Sequence, residues 1–518
     1  MSSYNAASWL LDRNISEGHG DRVAVRYCGR DVTYRDMQAL TWRVQNALAA
    51  LGIGRDERVV LVTNDSPEMM AWLLGSMRSG VVPVPVSTML RPADVAAIAA
   101  DAGATGLVLS TDHLVHAGSC MEGVAGLRHV IHLDEPGDGE TGTGCTSWSD
   151  LVDTAEARLA DTSADSAAFW LYSSGTTGLP KGVMHRHRNM QATYEAYATE
   201  VLKVGPEDRF LSVAKLFFAY GLGNSLTFPF GAGATTILEP QRPTPGSMCA
   251  LVAAEQPTLF FAAPGFVAAV LDTPVADDAF ASVRATVTAG ESLPADLQRR
   301  FSERFGHPVL DGIGSTEALH IFVSNTLAAQ AAGSSGWPVP GYEVKLLGDD
   351  DVEITDCDTP GYLHVRGPST ALGYWQRPEA TAASFRDGGW LRTGDVYVRS
   401  ESDTWTFLGR NNDMIKAGGI WVSPAEVEST LVTHPSVLEA AVVGSRNDLG
   451  LEETVAFVVP RAGVTIDPQA IDAHCREHMA TYKRPRRIVV VDDLPKTATG
   501  KIQRFKLRDS LSPGAASA

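Results

Sequence analysis

Cysteine is scarce. Six thiols are scattered through 518 residues, at Cys28, Cys120, Cys145, Cys249, Cys357 and Cys475, and none forms a C-x-x-C pair. Buried or idle reduced thiols in a cytoplasmic protein are therefore expected, not a disulfide framework. Long apolar runs are missing too. The most apolar stretch, Met69 to Val86, is broken by Gly75, Arg78, Gly80, Pro83 and Pro85, and reads as a buried helix followed by a strand, not a membrane span. The N-terminus has no basic region and no long apolar core, so no signal peptide is expected. Positive charge is in deficit, with 43 Lys and Arg against 61 Asp and Glu and a net charge of −18. Such a surface argues against general binding to nucleic acid or to anionic membranes. Anionic small molecules would then need local positive sites, which makes single lysines and arginines beside glycines worth attention. A homodimer remains open.

What is present is alternation. Short β-branched or aromatic runs (Val59 to Thr63, Val81 to Val86, Phe169 to Tyr172, Ala234 to Leu238, Thr258 to Phe261, Ala285 to Thr288) alternate with helical patterns (Pro67 to Ser79, Asn189 to Leu202, Pro294 to Phe305). This implies βαβ units and a mostly parallel sheet covered by helices. The acidic, Gly-rich stretch Asp134 to Asp150 is expected as an exposed loop, and Asp349 to Asp358 as a surface turn. Gly361 to Phe407 looks β-rich. A compact α/β stretch follows Gly409 to Asp413, which places a boundary between residues 1–410 and 411–518, with a disordered tail.

The stretch YSSGTTGLPKG, Tyr172 to Gly182, combines hydroxyls, glycines and one lysine. Glycines let the backbone approach an anion, hydroxyls and N–H groups donate to its oxygens, and lysine supplies charge. It is not the G-x-x-x-x-G-K-[ST] loop of P-loop proteins. Four more stretches stand out: DGIGSTE (Asp311 to Glu317), WLRTGD (Trp390 to Asp395), GRNNDMIKAGG (Gly409 to Gly419) and PKTATGKIQR (Pro495 to Arg504). In this order the five resemble the signatures of the adenylate-forming superfamily of acyl-CoA synthetases, luciferases and peptide-synthetase adenylation domains.

That resemblance implies an α/β fold: a large N-terminal domain of α/β layers plus a small β-barrel, carrying a small mobile α+β C-terminal domain. It implies that a carboxylate attacks the α-phosphate of ATP, with Mg²⁺, and that the thiol of CoA then displaces AMP. By it, Ser173, Ser174, Thr176, Thr177 and Lys181 grip the β- and γ-phosphates, and Asp311, Gly312 and Ile313 border the nucleotide. Thr316 donates to a phosphate oxygen, and Glu317 holds the metal. Asp395 and Arg410 take the ribose, Lys416, Gly418 and Gly419 give the pantetheine arm room to pass, and Lys501 bridges carboxylate and α-phosphate. The residue types suit this chemistry: two anions are brought together, so charge neutralisation should dominate.

The run KLFFAYGLGNSLTFPF, Lys215 to Phe230, is dense in aromatics and glycine. Part of it is core. Its LFFAYGLGN, together with DGIGSTE and GIWVSPAEVE, resembles benzoate–CoA ligases, which implies an acyl pocket lined by Ala219, Tyr220, Ala289, Gly290, Gly314 and Ile321. Small residues there leave a flat slot, and Tyr220 offers an aromatic edge. No acidic residue among them would pair with an α-ammonium group, which disfavours amino acids. The implied partner is a small aromatic carboxylic acid: benzoate, or a hydroxy- or aminobenzoate. Two alternatives stand beside an aryl–CoA ligase, namely an aryl-adenylating enzyme that loads a carrier-protein thiol and a nucleotide-binding protein that has lost catalysis. Asn411–Asn412 replaces the usual Asp or Lys at the hinge, Tyr362 stands where glutamate is common, and Trp421 where tyrosine is usual. The cluster HRHRN, His185 to Asn189, reads as a helix-start surface cluster, since no further His or Cys ligands lie nearby in sequence. YKRPRR, Tyr482 to Arg487, reads either as a solvated edge or as part of a CoA phosphate site, with the solvated reading slightly favoured.

Overall fold

The computed structural model describes residues 3–133, 144–173, 180–417, 420–446, 452–496 and 502–511. Two sheets with parallel cores organise the first 330 residues or so. The larger has nine strands. Its parallel part runs Val309–Gly314, Ala285–Thr288, Leu259–Ala262, Arg209–Ser212, Thr235–Leu238 and Val23–Tyr27 in spatial order. Antiparallel strands close both edges, Arg30–Thr33 on one side, Ile321–Ser324 and Trp337–Pro338 on the other. The second sheet has five parallel strands, with Arg58–Val62 and Ala104–Ser110 at its centre.

Chain order reverses at Arg209–Ser212. The next strand in sequence lies on one side of it, and the strand after that on the other. In open parallel sheets the crevice beyond the strand C-termini at such a reversal is where ligands bind. The segment that leaves Ser212 there is Lys215 to Phe230, and Ala262, Thr288 and Gly314 end beside it.

Local chemistry explains the elements. The helix Pro67–Ser79 starts at Ser66, whose Oγ accepts from the Met69 N–H at 3.1 Å, has Pro67 in its first turn, and stops at Gly80 with φ 74°. All but its ends are buried. It packs on Tyr34–Ala50 at Gly75, where a Cβ would lie 2.7 Å from Val44 Cβ and 2.9 Å from the Thr41 carbonyl, so only glycine admits this approach. The stretch Asp134 to Asp150 is not all loop. Residues 134–143 lie outside the described residues, but Thr146–Ser147 is an edge strand, and Trp148 is buried against Trp72 with Arg43 over its ring. A lone tryptophan outweighed the acidic, Gly-rich context.

Two antiparallel units follow. Ala167–Ser173, Lys181–Arg186 and Gly373–Tyr374 form a three-stranded sheet. Six strands between Glu343 and Arg410 form another, in which Trp390–Arg399 pairs with three neighbours. Beyond Arg410 come the hairpin Ile415–Ala417/Ile420–Val422 and a three-stranded sheet (Val437–Arg446, Glu452–Pro460, Arg487–Val490) with helices Pro424–Leu431, Pro468–His478 and Arg504–Ser510. Residues 512–518 lie outside the described residues.

This last unit is pinned internally by ion pairs. Glu428, its side chain 14% exposed, takes both carboxylate oxygens to Arg504 Nη2 at 2.7 Å and accepts the Val442 N–H at 2.7 Å. Arg508 reaches Asp413 at 2.8 Å. Among the described residues, Arg461 pairs with Asp272 of the large unit at 2.9 Å. Removing one member of a largely buried pair strands the other charge. Arg504→Ala should therefore destabilise the C-terminal unit by up to about 3 kcal/mol in chemical denaturation, and the double change Glu428→Gln with Arg504→Met by clearly less.

Candidate active site

The turn Ser315–His320, between Val309–Gly314 and Ile321–Ser324, is the centre of the site. Its strands pair antiparallel, with Gly314 opposite Ile321. Ser315 Oγ accepts the Ala318 N–H at 3.1 Å, and Leu319 donates to the Thr316 carbonyl at 3.1 Å. Leu319 is 2% exposed and has φ 68°, a left-handed conformation that costs an L-leucine about 1–2 kcal/mol and is tolerated only where surroundings enforce it. Three distant segments supply that enforcement. Ser369 Oγ donates to the Ala318 carbonyl at 2.6 Å, Ala371 N–H to the Glu317 carbonyl at 2.8 Å, and His185 Nε2 to the Thr316 carbonyl at 2.8 Å.

His185 corrects the reading of HRHRN as a surface cluster. Both His185 and His187 are fully buried, and only the arginine that follows each of them faces outward, Arg186 at 3.6 Å and Arg188 at 3.1 Å from Asp165. Alternation of period two, two polar types in turn at the end of a strand, was the signal. His185 stacks on Phe169 with centroids 5.1 Å apart, and Asn189 Nδ2 donates to its Nδ1 at 3.1 Å. Those partners put its proton on Nε2. Burial holds its pKa down at about 4, so it stays neutral.

Glu317 points its carboxylate at Tyr374, whose Oη donates to Oε1 at 2.9 Å. Lys181, first residue of its strand, holds Nζ 5.0 Å from the centroid of the same ring. Ser173 ends the paired strand opposite Lys181. Ser174, Thr176 and Thr177 lie outside the described residues, as do Gly418, Gly419 and Lys501. Lys416 lies on the hairpin strand Ile415–Ala417. Asp395 and Arg410 are cross-strand neighbours, and Arg410 Nε reaches Asp395 Oδ1 at 2.9 Å with the Asp395 side chain 5% exposed. Asn411 and Asn412 are exposed, and neither takes a positive φ. Tyr362 caps Asp349 on the outer sheet, its Oη donating at 2.5 Å.

Asp311, Gly312 and Ile313 lie along the strand before the turn. Asp311 is turned inward. Its Oδ1 accepts from Thr288 Oγ1 at 2.8 Å, and its carbonyl accepts from Asn325 N and Nδ2 at 2.9 and 3.0 Å. Burial outweighs these donors and raises its carboxyl pKa to about 8.

Ala219 and Tyr220 open the helical stretch that continues to Ala232. Tyr220 Oη donates to the Val287 carbonyl at 3.0 Å, which ties it to the strand that leads into Ala289 and Gly290. Its ring lies 5.4 Å from His320 and 6.3 Å from Phe261. His320 was missed from sequence. It is 3% exposed, packs also on Tyr197 and Phe228, and its Nε2 faces Asn224 Oδ1 at 3.1 Å. Burial lowers its pKa to about 3. Asn224, also missed, is fully buried. A Cβ at Gly223 would lie 2.3 Å from His320 Cδ2, and one at Gly314 would lie 2.6 Å from the His320 carbonyl, so glycines set the space around this ring. A buried imidazole on an aromatic wall leaves no sequence signal beyond its own letter.

The family signature of the AMP-binding enzyme matches residues 11–375, and that of the AMP-binding enzyme C-terminal domain matches residues 426–501. The chain belongs to the AMP-binding enzyme family. A benzoate–CoA ligase of Thauera aromatica is 40% identical to it over 512 residues, covering 98% of this chain and 96% of that one. A benzoate CoA ligase of Burkholderia xenovorans LB400 superposes with TM-score 0.90 at 39% identity, over 98% of this chain and 100% of the other. An anthranilate CoA ligase in complex with anthranoyl-AMP superposes with TM-score 0.92 at 36% identity, over 98% and 97%. No helix among the described residues of this AMP-binding enzyme is long and apolar enough to cross a membrane.

The Asp311 carboxyl gives this AMP-binding enzyme a pH signature. Folded, it keeps a proton up to about pH 8; in the unfolded chain an aspartate loses it near pH 4. Its contribution to stability is full below the unfolded value and is lost as pH rises to the folded one. Asp311→Asn keeps an acceptor for Thr288 but cannot ionise. Its thermal midpoint should gain on the parent's between pH 5 and pH 8. A difference between variant and parent that stays constant over that range would show that Asp311 is ionised in the fold.

Proposed function

We propose that the protein is an ATP-dependent aryl–CoA ligase that converts benzoate, or a small substituted benzoate, to its CoA thioester. The observation that carries this is the cluster of Tyr220 and His320, with Gly223 and Gly314 close against His320 and Ile321 opposite Gly314, next in the chain to the Thr316–Glu317 turn; we read it as the wall of a flat slot. A flat ring fits between glycine backbone and aromatic faces, and a carboxylate at the slot's mouth would meet the turn. The near full-length similarity to ligases of benzoate and anthranilate supports the same reading.

In the first half-reaction a carboxylate oxygen of the acid bonds to the α-phosphorus of ATP. The bond from that phosphorus to the β-bridging oxygen breaks, and pyrophosphate leaves with the electron pair. In the second, the CoA thiol loses its proton, its sulfur bonds to the acyl carbon, and AMP leaves. We assign the pyrophosphate grip to the 173–181 loop with Lys181, the ribose hydroxyls to Asp395 with Arg410 steadying it, and a phosphate contact to Thr316. Lys501 neutralises the meeting of the two anions.

The metal fits one carboxylate. Among the described residues no cluster of three or more His, Cys, Asp or Glu could hold an ion alone. Glu317 commits Oε1 to Tyr374, which leaves Oε2 for a metal. That suits Mg²⁺, which takes one or two carboxylates and fills its shell with phosphates and water. Bound there, Mg²⁺ would offset phosphate charge. We place the pivot between residues 1–410 and 411–518 at Arg410–Asn411, where the chain leaves the six-stranded sheet. Rotation there would exchange the Lys501 segment for the 416–419 hairpin tip, where glycines leave room for a pantetheine arm.

Benzoate, hydroxybenzoates and aminobenzoates tested with ATP and Mg²⁺ should include at least one acid that releases pyrophosphate and, with CoA, forms an aryl-CoA. No release across that panel would sink the proposal. Lys501→Ala should slow pyrophosphate release by about 10²-fold or more while still binding ATP. Gly223→Ala should raise the KM for the acid by about tenfold, through displacement of His320, and leave the KM for ATP near its parental value.

A further inference from the structure

Lys181 and Glu317 are opposite charges that both meet Tyr374, one at its ring face and the other at its hydroxyl, yet no ion pair joins them among the described residues. A cation and a carboxylate that share one neighbour in a half-buried site gain by pairing with each other. Tyr374 stands between them. Its hydroxyl donates to Glu317 Oε1 at 2.9 Å, and its π-face carries the Lys181 ammonium at 5.0 Å. Each charge is satisfied separately, by a different part of one side chain.

Tyr374 is held firmly enough to act as a spacer. Its strand pairs with the strand that Lys181 begins, Tyr374 opposite Val183. Its N–H donates to Thr381 Oγ1 at 3.0 Å, and Phe385 packs edge-on at 5.5 Å. Gly373 before it has φ 138°, and a Cβ there would lie 2.6 Å from Thr381 Cγ2, so the approach is closed to other residues. The same segment holds the backbone of Glu317 through the Ala371 N–H. Tyr374 is 8% exposed, and its hydroxyl donates to the Glu317 carboxylate.

We infer that Tyr374 is a positioning residue that keeps the Glu317 carboxylate oriented for a divalent cation and the Lys181 ammonium free for phosphate, by preventing the two from pairing. Its hydroxyl serves the metal side and its ring the phosphate side. The inference rests on the reading of Glu317 as the metal's carboxylate.

Mn²⁺ as the probe ion, with α,β-methylene ATP (which cannot release pyrophosphate), tests this without turnover. Two quantities are measured on the full-length protein: Mn²⁺ affinity with the analogue bound, by electron paramagnetic resonance, and analogue affinity in excess EDTA, by calorimetry. Tyr374→Phe removes only the hydroxyl. It should lower Mn²⁺ affinity by about 10-fold or more, the usual effect of losing a partner behind a metal ligand, and leave metal-free analogue affinity near the parent's. Tyr374→Leu removes the ring as well and should weaken both, because Lys181 is then free to pair with Glu317. Parental Mn²⁺ affinity in Tyr374→Phe, or an equal loss of both affinities, overturns the inference. Glu317→Gln separates the two levels of the argument. If it binds Mn²⁺ as the parent does, the reading of Glu317 itself fails. If it loses Mn²⁺ while Tyr374→Phe does not, only the role of Tyr374 fails. Since Tyr374→Leu also loses packing on Phe385, Tyr374→Phe decides the question.

Discussion

One hydrogen bond between remote parts of the chain carries the site: His185 Nε2–H to the Thr316 carbonyl, across 131 positions. It works because the imidazole is neutral. Burial beneath Phe169 and beside Asn189 makes the charged form costly, and the neutral tautomer has one donor, aimed at the turn. That bond, with those from Ser369 and Ala371, forces the Ser315–His320 turn into a shape that Leu319 would not choose alone. Glu317 on one flank and His320 on the other are placed by the same turn. The proposed metal side and the proposed acyl side of the site therefore share one support.

Charge is rationed in a consistent way. The chain is acidic overall, and its candidate ligands are acidic too. The site meets this with a few cations, each assigned a partner that leaves its function open. Lys181 rests on a ring and Arg410 on Asp395. A ring face gives way to an anion more readily than a desolvated ion pair would, because less electrostatic energy must be surrendered. Buried groups that could compete are kept uncharged: Asp311 protonated, His185 and His320 deprotonated.

Much of this was legible in one dimension. Ala285–Thr288 and Pro67–Ser79 have the bounds their patterns suggested, because apolar periodicity and end-capping are local properties. The positions Ser173, Lys181, Asp311, Glu317, Asp395 and Arg410 stood out through the resemblance carried by five stretches in order, since a lone T-G-D or G-R pair is common in turns. The misreadings share a cause. HRHRN looked like surface because histidine and arginine are polar; Thr146 to Asp150 looked like loop because its neighbours are acidic and rich in glycine. Burial depends on what arrives from elsewhere in the chain: Phe169 and Thr316 in one case, Trp72 and Arg43 in the other.

The sequence by itself determined the alternation of strands and helices, the acidic net charge and the order of the five stretches that carry the family resemblance. Each is a matter of composition and short spacing. Only the tertiary structure decided which histidines are buried and neutral, that His320 and Asn224 stand behind Tyr220, and that one tyrosine separates Lys181 from Glu317. Glu317 and Tyr374 are 57 positions apart, and Asn224 and His320 are 96. Nothing within a few residues of either partner encodes the other. Their meeting follows from a strand order that reverses at Arg209–Ser212 and from a short strand, Gly373–Tyr374, that returns to pair with the strand beginning at Lys181.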